Sequence, residues 1–349
     1  MALYFGGGTQ RPFKNPSINK MISAKRLKIF TWHIHGTYLY YLSKGDFDIY
    51  IPLNDKRSTG YVGRGQTFPF GENVIEVRAE EVRNLEFDCI LFQTSRNYLT
   101  DQYEILSEEQ RRLPRIFVEH DPPTDHPTDT PHVVTDPNVI LVHVTHFNKL
   151  MWHSPIPETR VIEHGVPLSK VQYTGELKKG VVVINHLKDR GRKLGSDIFE
   201  EVARHVPLDL IGMDSLKSGG LGEILHPDLP RFISQYRFFF NPIRYTSMGL
   251  AVCEALSIGL PVVALATTEN ASVFTNGVDA YMHTDVDYLI EKMLLLLQNP
   301  ELAEHIGTKG KELAKNKFSL DRFTKEWKET FLMAIINNTP QYEQKNSLY

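Results

Sequence analysis

A chain of 349 residues with 41% hydrophobic and 23% charged side chains exceeds what one hydrophobic core usually supports, so two globular domains are expected and a fibrous or disordered class is excluded. A formal net charge of −3 argues against a nucleic-acid binder, which needs a basic excess to neutralise several phosphates. Two cysteines, Cys89 and Cys253, one in each half, provide no disulfide framework and fit a reducing, cytoplasmic setting.

The start, MALYFGGGTQRPFKNP, reads as a flexible lead-in over residues 1–25 and lacks the continuous apolar stretch of a secretion signal. Arg11, Lys14, Lys20, Lys25, Arg26 and Lys28 all precede the first acid, Asp46. Such a segment suits either solvent or peripheral contact with an anionic membrane face, since no apolar run reaches the roughly 18 residues that span a bilayer. Leu27 to Trp32 reads as a strand, His33 to Gly36 as its loop, Thr37 to Lys44 as a short helix and Phe47 to Leu53 as the next strand, which makes a β-α-β unit. After a loop from Asn54 to Asn73, further strands are predicted at Val74 to Val77, Cys89 to Gln93, Arg115 to Glu119, Val139 to Val144 and Arg160 to Ile162, with a helix over Asp101 to Leu113. Val166 to Lys179 has little apolar periodicity and reads as a linker, dividing a first domain, 26–171, from a second, 172–320. The second half restarts with VVVIN after Gly180, then gives a helix from Ser196 to His205 and a strand from Leu208 to Ile211. Helix Val286 to Gln298 is closed by Asn299-Pro300, whose proline suits the first position of another helix, and a last amphipathic helix starts at Ser319 and begins the 321–349 tail.

The richest segment is Phe238 to Ala264, FFFNPIRYTSMGLAVCEALSIGLPVVA, which reads as strand, tight loop, helix, Gly-Pro break and buried strand. Its loop, Thr246-Ser247-Met248-Gly249, opens into the helix Leu250 to Ile258, so free N-H groups at that helix start would face a ligand beyond the strand end. A helix start carries roughly +0.5 of an elementary charge and Gly249 lets an anion approach the backbone, which suits a diphosphate. Glu254, one turn further on, would repel phosphate but suits the hydroxyls of a ribose. The competing reading is a core helix with Gly249 as turn chemistry and Glu254 on a solvated face.

This segment resembles the carboxyl-terminal signature of the retaining, family-four glycosyltransferases of GT-B fold, in which two Glu residues flank a Phe-Gly-Leu turn. Glu254 matches the second Glu, Gly249 and Leu250 the turn, and LPVVA the strand that follows; Thr246 stands where the first Glu is expected, beside Ser247. Arg160 to Val166, RVIEHGV, looks like the family's linker entry, and Val182 to Gly195 sits where the family carries an Arg and a Lys that grip the donor diphosphate. Here His186 holds the first of those positions, while Arg190, Arg192 and Lys193 supply cations that would form the clamp. The resemblance implies an α/β fold of two Rossmann-like domains facing each other across a cleft, with the last helix crossing back to the first. It further implies that His120 lies near the sugar and acceptor, and that Gly36 approaches the donor from the opposite domain. A metal site of His120, Asp121, Asp125, His126 and Asp129 is the competing idea for the Pro-rich loop that follows His120, although the spacing fits no standard ligand pattern.

The expected function is transfer of a sugar from a nucleoside-diphosphate sugar to a glycan or lipid-linked acceptor hydroxyl with retention of configuration, needing no metal and no further cofactor. His120, Arg190 and Lys193 would act in catalysis. Gly36, His186, Arg192, Thr246, Ser247, Gly249, Leu250 and Glu254 would hold the donor. The rivals are a non-catalytic nucleotide or carbohydrate binder on the same scaffold and a nucleotide-sugar epimerase.

Overall fold

The computed structural model describes residues 26–156 and 159–338. Short runs of β-branched and aromatic residues form two all-parallel sheets, whose central strands, such as Cys89–Phe92, Val139–His143, Tyr236–Asn241 and Val262–Leu265, are buried on both faces and therefore read as nearly continuous apolar runs. The first sheet comprises β1 (Leu27–Thr31), β2 (Phe47–Leu53), β3 (Val74–Arg78), β4 (Cys89–Phe92), β5 (Arg115–Glu119), β6 (Val139–His143) and β7 (Thr159–Val161), in the order β3-β2-β1-β4-β5-β6-β7. The second comprises β8 (Leu177–Val183), β9 (Leu208–Ile211), β10 (Tyr236–Asn241), β11 (Val262–Leu265) and β12 (Tyr281–His283), in the order β12-β11-β10-β8-β9. The chain reverses its direction of travel between β1 and β4 in one sheet and between β8 and β10 in the other. Loops at the carboxyl ends of strands flanking such a reversal are where α/β sheets hold ligands.

Helices cover the sheets. In the first domain α1 (Gly36–Leu42) follows β1 and α2 (His146–Met151) follows β6. In the second, α3 (Ser196–Val202), α4 (Leu250–Ile258), α5 (Val286–Gln298) and α6 (Pro300–Lys317) surround the smaller sheet. α4 is buried from Val252 to Ile258 and stops at Gly259, whose φ of 92° only glycine adopts cheaply. Gly307 of α6 lies so close to Gly259 that a Cβ would come 1.9 Å from its carbonyl oxygen, which locks these two helices together. Finally α7 (Leu320–Asn338) crosses back onto the first domain, where buried Trp327 donates its indole N-H to Tyr38 Oη at 3.0 Å. One apolar cluster accordingly runs from β1 through α7 to α4.

Several local expectations change. The segment Asp101–Leu113 is not one helix: a wide turn over Asn97–Asp101 and a short helix Gln102–Ile105 end at Leu106, which is extended. Ser107 and Gln110 then cap each other reciprocally, while the Gln110 amide reaches the carbonyls of Val82 and Leu85, so side-chain bonding overrides helical propensity. β8 begins at Leu177, inside the predicted linker, because Leu177 pairs with Tyr236. The lead-in, including Arg11, Lys14, Lys20 and Lys25, lies outside the described residues, as does the tail beyond Asn338. Arg26 is ion-paired with Asp46 and Asp48, and Asp46 also meets Lys328, so this described part of the basic run is locally neutralised. Among the described residues no helix is long and apolar enough to cross a membrane.

Candidate functional site

A cleft of about 600 Å3 opens between the carboxyl-terminal edges of the two sheets, at both points of strand reversal. Its second-domain wall is built from Asn185, His186 and Arg190 after β8 and from Thr246 to Ala251 and Glu254 after β10. Its first-domain wall comes from His35 to Tyr38 after β1, from Thr67 and Phe68, and from His120 and Asp121 after β5.

Gly249 caps α4 with extended backbone (φ −72°, ψ 139°) and no side chain bonds the helix start, so the first-turn amides point into the cleft. A Cβ on Gly249 would meet nothing within 4 Å, which leaves the approach open. Buried Met248 anchors this loop from behind: its carbonyl accepts from His164 Nε2 at 2.8 Å, tying the turn to the segment that joins the domains. Ser247 lines the cleft beside it, and Thr246 donates across it to Asp121 Oδ1 at 3.3 Å.

The three expected cations part company. Arg190 lines the cleft. Arg192 instead pairs with Asp197, which is also held by Arg244, and Lys193 is absent from the cleft wall, its carbonyl accepting from the amides of Arg244 and Tyr245. The local reason is the turn Gly191–Leu194, which directs Arg192 toward the start of α3. His186 lies in the left-handed region (φ 55°), on the cleft wall, with Nδ1 2.7 Å from Asp214 Oδ2.

Glu254 lies on the cleft wall. It is 8% exposed, and Oε1 accepts from Tyr41 Oη at 2.6 Å and faces His226 Nε2 at 3.0 Å, so this one oxygen is already bonded across the cleft. Gly36 lines the cleft from the first domain, and the Phe68 ring lies over it, with Cε2 2.3 Å from where a Cβ would stand. Gly36 therefore seats an aromatic ring beside the start of α1.

His120 is buried, its ring centroid 3.9 Å from that of His35 and 4.6 Å from that of Tyr38, and its Nε2 has no partner. Burial pushes the His120 imidazole well below its ordinary 6.5, helped by His35 and His164. The same desolvation lowers His164 to about 4 and lowers His35, where Asp121 opposes the shift and Arg190 adds to it. These rings are neutral at pH 7, fit to exchange hydrogen bonds with a hydroxyl rather than to bind an anion. The loop metal site does not assemble: His126 Nδ1 accepts from the amides of Thr128 and Asp129. Among the described residues His186, Asp189 and Asp214 lie close enough to share a cation, but Lys217 already pairs with both aspartates.

Tyr41, Phe68, Asn185 and His226 escape the sequence reading. Tyr41 sits in an aromatic run that reads as a helix's core face, and His226 falls in a segment without periodicity.

Two Rossmann-like domains meeting at such a cleft define the GT-B glycosyltransferase fold. A family model described as "Glycosyl transferase-like" matches residues 192–329, which covers most of the second domain and reaches α7. A trehalose synthase from Pyrococcus horikoshii is 31% identical over 74 residues, 21% of this chain and 18% of that protein. Among solved structures, sucrose-phosphate synthase from Thermosynechococcus elongatus superposes with a TM-score of 0.68 at 12% identity, covering 88% of this chain and 98% of that one. HepE from Anabaena, in complex with UDP-glucose, gives 0.65 at 13% identity over 87% and 99%. Staphylococcus aureus TarM, in complex with fondaparinux, alpha-GlcNAc-glycerol and UDP, gives 0.58 at 15% identity over 72% of this chain and 58% of that one. The chain thus spans under a fifth of the trehalose synthase and little more than half of TarM. The chain thus has the GT-B fold, and its residues 192–329 are similar to the glycosyl transferase-like family.

Proposed function

We propose that this chain transfers a sugar from a nucleoside-diphosphate sugar to an acceptor hydroxyl on a glycan or lipid-linked glycan, with retention of configuration. The observation that carries the reading is the uncapped start of α4, opening at Gly249 into a cleft that presents Arg190 on the same wall and neutral His120 on the facing one. The fold supports it, and so do the UDP and UDP-glucose complexes of the structures it superposes on.

The chemistry follows from the wall. The leaving diphosphate gains charge as the glycosidic bond breaks, and the amides of Leu250 and Ala251 with the Arg190 guanidinium are donors fixed in advance at that position. His120, neutral and with an unpartnered Nε2, accepts from or donates to a sugar hydroxyl without repelling Arg190. These groups do the electrostatic work that a divalent ion does in other transferases, so we assign no resident metal.

Incubation with a panel of nucleotide sugars, with free nucleoside diphosphate as readout, tests the reading. Release from at least one donor is expected even without acceptor, and titration calorimetry with UDP, GDP and ADP names the base. A chain that neither releases nor binds any of these at millimolar concentration has another function. A binder without turnover would be the non-catalytic scaffold, inversion at the anomeric carbon of the product would remove retention, and loss of rate in chelator would remove metal independence.

A further inference from the structure

The cleft has one electrostatic feature that diphosphate binding leaves unused. Three carboxylates line it: Asp121, Glu223 and Glu254. Glu254 is bonded to Tyr41 and faces His226, and Glu223 is exposed at the rim. Asp121, from the first domain, instead meets the loop ahead of α4, its Oδ1 accepting from Thr246 Oγ1 at 3.3 Å, three residues before the uncapped helix start.

Its main chain is fixed at both sides. The Asp121 amide donates to Glu119 Oε1 at 3.0 Å, and its carbonyl accepts from Trp152 Nε1 at 2.8 Å. Glu119 is in turn held by buried His132, 3.2 Å from its other oxygen. A strand end clamped in this way presents its carboxylate with little freedom left to lose on binding. The chemistry then selects the ligand group: a carboxylate repels phosphate and accepts hydrogen bonds, so beside a diphosphate site it suits a neutral hydroxyl. His120, with its unpartnered Nε2, is the adjacent residue.

We propose that Asp121 binds a ring hydroxyl of the sugar carried on the nucleoside diphosphate, with Thr246 positioning the carboxylate. Sugar recognition then comes from the first domain and nucleotide recognition from the second, so the sugar is gripped only when both walls close on it. This rests on the donor reading given above.

The test compares the unmutated chain with Asp121→Asn and Asp121→Ala, by calorimetry with UDP, GDP and ADP and by turnover of the accepted nucleotide sugar. Both variants are expected to keep nucleoside-diphosphate affinity within about twofold and to lose at least about tenfold in kcat/KM, the scale of an unmade charged hydrogen bond. Donors lacking one ring hydroxyl each identify the partner: the analogue missing it is discriminated against by the unmutated chain and not by Asp121→Asn. Near-normal kcat/KM in Asp121→Asn overturns the proposal, as does a fall in nucleoside-diphosphate affinity equal to the fall in turnover. Failure of the donor reading itself looks different, because the unmutated chain would then bind no nucleoside diphosphate.

Discussion

At the scale of single residues, position relative to the cleft sorts groups that composition makes equivalent. Arg190, Arg192 and Lys193 are three cations within four positions, yet Arg190 alone faces the candidate diphosphate site. Arg190→Ala is expected to lower turnover of a nucleotide sugar by more than about tenfold, the loss of one charge-assisted contact made to the leaving group. Lys193→Ala should stay within about threefold of normal, because that side chain is absent from the wall; equal losses in both variants would restore a three-cation clamp. Tyr41 makes a different contribution. Its hydroxyl bonds the largely buried Glu254 carboxylate from the opposite domain, so Tyr41→Phe removes a bond to charge in a site shielded from water. The expected cost is about 1.5–3 kcal/mol in urea unfolding, with His226 retained as the other partner. No change in the unfolding midpoint would show that the carboxylate is satisfied without it.

At the scale of elements, the sequence was readable where local chemistry and tertiary packing ask for the same thing. Leu27–Thr31 and Val139–His143 are buried apolar runs with no other stable home, and Gly249 to Gly259 carries the start and stop of its helix in its own residues. It was opaque where a distant partner decides. The reciprocal cap of Ser107 and Gln110 splits a helical stretch, with the Gln110 amide held by carbonyls 25 and 28 residues away. The bond of Glu254 to Tyr41 left no local sign, because that partner is 213 residues distant. Within the loop from Asn54 to Asn73 the path is hidden for a related reason: Gly60, Gly63 and Gly65 all take positive φ, so it is set by residues that leave no side-chain pattern. One helix contact yields a sharp expectation. Gly307→Ala would force a methyl group onto the Gly259 carbonyl, which is backbone and cannot swing aside, so α6 must move off α4. A loss of at least about 2 kcal/mol is expected by chemical unfolding, in line with overpacking at a close backbone approach. Because α4 also presents the cleft amides, nucleoside-diphosphate affinity should fall with it, and a stable variant with unchanged affinity would uncouple the contact from the site.

At the scale of the whole molecule, the two domains and α7 converge on a cluster of uncharged histidines. His35 and His120 come from the first domain, while His164, in the connecting segment, bonds Met248 of the second. Tyr38 lies between His120 and His164, and Arg322 of α7 donates to the His164 carbonyl and disfavours a proton on its ring. All three imidazoles are depressed below 6.5 in the folded chain, His164 to about 4, whereas the unfolded chain returns them to the ordinary value. Between those limits the unfolded state binds more protons, so stability is complete above about pH 6.5 and falls as the pH drops toward 4. By pH 5.5 the neutral His164 ring alone contributes a loss of about 1 kcal/mol, and His35 and His120 act in the same direction, before most carboxylates begin to titrate. Urea unfolding at pH 7.5 and 5.5 should therefore show a lower midpoint at the acid condition, and His164→Gln, which keeps a donor for the Met248 carbonyl, should shrink the difference. A midpoint that does not move between the two conditions would mean that these rings open to water together before they protonate, and the junction would then be a hinge rather than a packed core.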